Sequence, residues 1–109
     1  MTGYDIIKKA SIRLGYDNCS QTFNQRGLEY INQICSELKI NNIISLSQNV
    51  TQDLEQVEVI CCGVAMLISF VEGDTEKNKV YTNLYNAKRT ALLSKINIIE
   101  DVLNKGGEL

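Results

Sequence analysis

Apolar residues recur along this chain at helical spacing, in four separated stretches. In the first, Thr2-Gly3-Tyr4-Asp5 precedes Ile6, Ile7, Ala10 and Leu14. Thr2 can cap a helix with Asp5 in the capping-box position, and Gly15 stands where a left-handed C-terminal residue is needed. A helix over 3–14 is predicted. In the second, Phe23 and Leu28 form a hydrophobic staple around a cap near Asn24. Tyr30, Ile31, Ile34, Cys35 and Leu38 extend the stripe, which predicts a helix over 24–38. The third stretch is the strongest. Leu54, Val57, Cys61, Val64, Ala65, Ile68 and Val71 share one face, while Ile60, Met66, Leu67 and Phe70 widen it. Thr51 or Asp53 caps this helix, predicted over 53–72, and Gly73 ends it. Its second half is apolar nearly all round, the mark of a central helix touched on most sides. The fourth stretch begins after Gly73-Asp74-Thr75 with Asp74 or Thr75 as cap, and carries Tyr81, Leu84, Tyr85, Leu92, Ile96, Ile99 and Leu103 up to Gly106-Gly107. It predicts a helix over 75–104, either continuous or broken near Ser94.

Residues 40–50 break the pattern. Ile40, Ile43, Ile44 and Leu46 alternate with Asn and Ser out of helical phase, so an irregular loop is expected, with a short extended stretch or one helical turn. Its isoleucines call for a packing partner, either the chain's own core or another subunit. The fold class is therefore all-α, a compact bundle of about four helices in a single domain over 1–109, with an extended C-terminal helix or tail at 96–109.

Composition narrows the chemistry. The 109 residues include no His, Pro or Trp. Without His, Ser-His-Asp and Cys-His pairs, His-containing metal sites and the Glu-x-x-His motifs of di-iron bundles cannot form within the chain. Carboxylate pairs exist at Asp53/Glu55/Glu58 and Glu100/Asp101, but nothing beside them supplies a nucleophile. No Gly-rich phosphate loop is present. Neither catalysis nor a cofactor or metal is expected. Cys19, Cys35, Cys61 and Cys62 lack C-x-x-C spacing and read as small, reduced, mostly buried thiols. No signal peptide is legible, and the uncharged run from Val59 to Val71 is too short to span a bilayer, so a cytosolic origin is expected.

Charge is unevenly spread. The net charge is −2, which argues against a general nucleic-acid binder. Residues 51–74 nevertheless carry five acids (Asp53, Glu55, Glu58, Glu72, Asp74) and no base. Residues 75–95 carry five bases (Lys77, Lys79, Lys88, Arg89, Lys95) against Glu76. Two readings follow. The arms of a helical hairpin attract one another, or an acidic and a basic side pair between subunits in a head-to-tail contact that can close into a ring. The second makes Asp53, Glu55 and Glu58, with Lys77, Lys79, Lys88 and Arg89, candidates for a subunit interface.

Three stretches carry a family likeness: Ala10-Ser11-Ile12-Arg13-Leu14-Gly15-Tyr16; Ile44-Ser45-Leu46-Ser47 followed by Cys62-Gly63-Val64-Ala65 in the apolar helix; and Gly73-Asp74 followed by Tyr81-Thr82-Asn83-Leu84-Tyr85-Asn86-Ala87-Lys88-Arg89. In order and spacing the chain resembles the small all-helical head-tail connector (adaptor) proteins of tailed bacteriophages and prophages. It departs from them before the central helix, where Asn49-Val50-Thr51-Gln52 stands in place of a frequent Pro. The resemblance implies a structural protein without catalysis. It would form an oligomeric ring, usually twelve-fold, beneath the portal, extend the channel for passing double-stranded DNA without sequence-specific binding, and meet the next connector or tail-completion protein. It would be made in the bacterial cytoplasm, end at the head-tail junction of the virion, and involve no membrane. The resemblance also marks Ile96, Ile99, Val102 and Leu103 as candidates for docking on the portal protein. Two other readings stand beside it: a small helical regulatory or protein- or DNA-binding module, and an enzyme subunit whose site another chain completes.

Overall fold

In the computed structural model, which describes the backbone of residues 1–16 and 21–107 and the side chains of 1–16 and 26–95, helix α1 spans Gly3–Arg13. Its start is the expected capping box. Thr2 Oγ1 accepts from Asp5 N, and the Asp5 carboxylate accepts from Thr2 N. These bonds hold the Asp5 carboxyl below its usual range. Its end turns through Gly15 at φ +78°, and Tyr16 N donates back to Ser11 O at 3.0 Å, which completes a Schellman motif.

Helix α2 spans Gln21–Glu37 and α3 spans Leu54–Val71. Helix α2 begins three residues earlier than the stripe predicts, because nothing between Gln21 and Asn24 breaks a helix. Asn24 is therefore inside it, and the side chain of Phe23 lies outside the described residues, as does Cys19. Helix α2 closes with Lys39 at φ 60°, a left-handed conformation held by Ile40 N donating to Cys35 O at 2.8 Å. Asp53 caps α3, accepting from Glu55 N and Gln56 N. The connection onward is as short as two helices permit. Gly73 at φ +73° ends α3, Asp74 N donates to Ser69 O, and the Asp74 carboxylate then accepts from Lys77 N to start the next helix.

That last helix, α4, spans Thr75–Gly107 without a break at Ser94. The molecule is all-α, four helices with no strand among the described residues. Helix α3 is central, as its all-round apolarity predicts. Helices α1 and α2 cover one side of it, and α4 packs antiparallel along it. Ile6, Ile7, Ala10, Ile31, Ile34, Ile60, Val64 and Ile68 are all essentially inaccessible. By length and mean hydropathy (1.8) α3 could cross a bilayer, yet 56% of it is buried by the rest of the chain. Among its described side chains, α4 contributes only Tyr85 and Leu92 to the buried core. Leu84, expected in the buried stripe, is 39% exposed: among the described residues the backbone of α4 packs closely on α3 alone, with long side chains reaching α1 and α2, and its buried face is correspondingly narrow.

The loop over 40–50 folds onto its own core. Asn32 holds it with two bonds of 2.9 Å, donating from Nδ2 to Ile43 O and accepting at Oδ1 from Ile43 N. Tyr4 N and Gly3 N donate to Leu46 O and Gln48 O, and an isolated bridge joins Thr2 to Asn49. Ile43 and Leu46 are thereby buried, whereas Ile44 points outward.

Candidate functional site

Glu58, on the side of α3 reached by both Arg13 of α1 and Lys88 of α4, gathers the charges. Arg13 grips it with two parallel bonds, 2.8 Å from Nη1 to Oε1 and 2.6 Å from Nη2 to Oε2. Lys9 and Lys88 approach the same carboxylate to 3.9 and 3.8 Å. A two-pronged Arg–carboxylate contact is the strongest ordinary ion pair in a protein. The Arg13 bond holds the Glu58 carboxyl below its usual value, and the same bond raises the guanidinium.

Two side chains then fasten α4 across the end of α1. Lys77 Nζ donates to Leu14 O and lies 5.4 Å from the centre of the Tyr16 ring. Tyr81 Oη donates to Arg13 O at 3.0 Å. On the other flank, Tyr85 donates to the Glu37 carboxylate at the end of α2. Burial first, and that bond second, push the Tyr85 hydroxyl well above the usual phenol range. The tyrosines thus bury their rings and keep their hydroxyls at the core edge, the ordinary role of a half-buried Tyr.

The candidate interface residues separate into three groups. Glu58 and Lys88 meet within one chain, and Glu55 pairs with Lys95 at 3.2 Å. The hairpin arms do attract one another. Asp53 is spent on the α3 cap and Lys77 on Asp74, Leu14 and Tyr16. Lys79 is exposed, with no ion pair among the described residues. Arg89 is half-buried, and its Nε is shielded without a hydrogen-bond partner. The side chains of Ile96, Ile99, Val102 and Leu103 lie outside the described residues. Sequence reasoning missed Arg13 and Lys9, which are far from Glu58 in the chain. Their spacing of four on α1 was the available signal.

Uncovered apolar side chains stand on both α1 and α4. Ile12, in the α1 concavity, is 64% exposed, and Leu84 on α4 is 39% exposed. A concavity of about 430 Å³ runs along the α1 flank, lined by Met1, Asp5, Lys8, Lys9, Ile12 and Arg13. The combination of apolar surface and cations suits an acidic, partly apolar partner. Cys35, Cys61 and Cys62 are free and buried. Desolvation pushes the Cys35 and Cys61 thiols up to about 11 and raises Cys62, so they are poor nucleophiles at neutral pH. Among the described residues, no group of His, Cys, Asp and Glu is placed to hold a metal ion. Compared with known proteins, the chain matches no family model, no curated protein and no solved structure.

Proposed function

We propose that the chain is a head-tail connector of a tailed bacteriophage or prophage: a non-catalytic subunit that assembles as a ring beneath the portal, extends the DNA channel and joins head to tail. One observation supports this reading above the others. Parts of all three stretches meet at the end of α1. Leu14 and Arg13 receive Lys77 and Tyr81, Arg13 Nη1 lies 3.7 Å from Cys62 Sγ, and Gly73-Asp74 makes the hairpin, while Leu46 of the second stretch packs at the start of α1. An exposed apolar and basic seam beside that meeting point also suits a part that completes its surface in an assembly. Catalysis has no role in this proposal, and neither does a cofactor.

The test is solution mass. Mixing the chain with the portal protein of the same genome is expected to raise the portal's mass by many copies of 12.2 kDa. A chain that stays monomeric and leaves the portal's mass unchanged would overturn the reading. The basic seam favours one other reading, a module that binds nucleic acid or an acidic protein. Strong retention on heparin at moderate salt would support that instead.

A further inference from the structure

Three cations converge on Glu58, so one carboxylate serves Lys9, Arg13 and Lys88 together. Lys8 extends this surface, where Asp5 is the one acid lining the same concavity and its charge offsets one of the cations. The seam between α1 and α4 therefore holds more positive charge than the chain neutralises there. Ile12, and Leu84 on the helical face shared by Lys77, Tyr81 and Lys88, leave apolar surface open beside it.

At the far end of the molecule, α4 outruns α3. Lys95 pairs with Glu55 in the first turn of α3, and the helix then continues to Gly107. At 1.5 Å per residue that is roughly 18 Å of helix beyond Lys95. The molecule's 55 Å long extent is close to the length of α4 itself. In sequence this arm carries Ile96, Ile99, Val102 and Leu103 at helical spacing, with Glu100 and Asp101 among them and Lys105 after them, a net charge of −1 over 96–107. An acidic amphipathic helix is the chemistry the seam fits.

We infer that the projecting end of α4 docks in the α1–α4 seam of a second copy of this chain. The inference rests on the connector reading and gives its ring a contact. One straight helix carries the seam's residues Lys77 to Lys88 near its start and the arm at its end, so an arm cannot reach its own seam. Each copy then offers two different surfaces, which is what a heterologous contact needs in order to close. Portal docking by the same arm is the competing outcome.

Two full-length variants test this by sedimentation, with and without the portal protein, after circular dichroism shows that each keeps its helicity. One carries Ile12→Glu and Leu84→Glu in the seam, and the other Ile99→Glu and Leu103→Glu in the arm. Wild type is expected to reach ring-sized species, and each variant alone to lose at least tenfold in assembled fraction. Mixing the two leaves one sound seam and one sound arm, so assembly should stop at pairs. If the arm variant misfolds, charge exchange replaces it: Lys8→Glu with Lys9→Glu should abolish assembly, and Glu100→Lys with Asp101→Lys should restore it. An arm variant that assembles like wild type would overturn the inference. So would one that loses only portal binding, and in that case the connector reading stands. A wild-type chain that never assembles would overturn both.

Discussion

Replacing Gly63 with Ala should destabilise the fold although it improves the helix in isolation. A methyl group there would lie 2.8 Å from Ile34 Cδ1, 2.9 Å from Ile34 Cγ1 and 2.9 Å from Tyr85 Cε1. Carbon atoms in contact normally sit about 3.5–4.0 Å apart, so both neighbours must retreat by roughly 0.6–1.2 Å. Neither is free to do so. Ile34 is fully buried between α2 and α3, and the Tyr85 ring is 2% exposed with its hydroxyl anchored on Glu37. Overpacking of this kind costs about 1–3 kcal/mol. The helix-propensity gain of Ala over Gly returns about 1 kcal/mol. Two clamped neighbours place the loss in the upper part of its range, for a net destabilisation of about 1–2 kcal/mol. For a domain of this size that is a fall in Tm of roughly 4–15 °C. Thermal unfolding followed by circular dichroism reads it directly. Ile34→Val removes Cδ1, the nearest atom, so combining it with Gly63→Ala should cost less than the two single changes added. A Gly63→Ala variant with unchanged or higher Tm, or strict additivity with Ile34→Val, would refute the close approach of α2, α3 and α4 at this residue.

Other outcomes follow from the same contacts. The Glu58 carboxyl is held below its ordinary 4.5 by Arg13, so it binds its proton more readily when unfolded. Its stabilising effect is then complete above the unfolded value and lost as pH falls through the lowered folded one; urea unfolding between pH 6 and 3 should show a shallower acid loss for Glu58→Gln. Lys39 holds a left-handed conformation that a side chain disfavours by roughly 1–2 kcal/mol, so Lys39→Gly should raise the urea midpoint. Asn32→Ala leaves both polar groups of Ile43 without their partner, which should cost about 1–3 kcal/mol and open the loop over 40–50 to limited proteolysis. Cys35, Cys61 and Cys62 should resist a thiol reagent at pH 7.5 in the folded chain and react promptly in denaturant.

The helices were legible because their punctuation is local. Thr2 with Asp5, Gly15, Asp53 and Gly73-Asp74 each state a start or a stop within one turn of chain, and the structure uses all of them. The start of α2 was not, because no residue near Gln21 or Asn24 forces a boundary. The place of Leu84 was not legible either. Its spacing matches Tyr81 and Tyr85, and only the number of helices packed on α4 decides which flank is covered. The likeness-bearing residues were found as three strings, but the meeting of Arg13, Cys62 and Tyr81 is a tertiary fact. The charge pattern was half legible. An acidic and a basic arm were evident, whereas the capture of Glu58 by Arg13 and Lys9 depends on how α1 lies against α3. That capture takes Glu58 and Lys88 out of the pool of free charges. One carboxylate does not balance the three cations around it, and the seam keeps a surplus of positive charge.

The most direct measurement of the central claim is electron microscopy of the purified portal protein before and after addition of this chain. The connector account predicts an added ring, coaxial with the portal, whose subunits repeat with the portal's symmetry. Portal particles that look the same with and without the chain would contradict it.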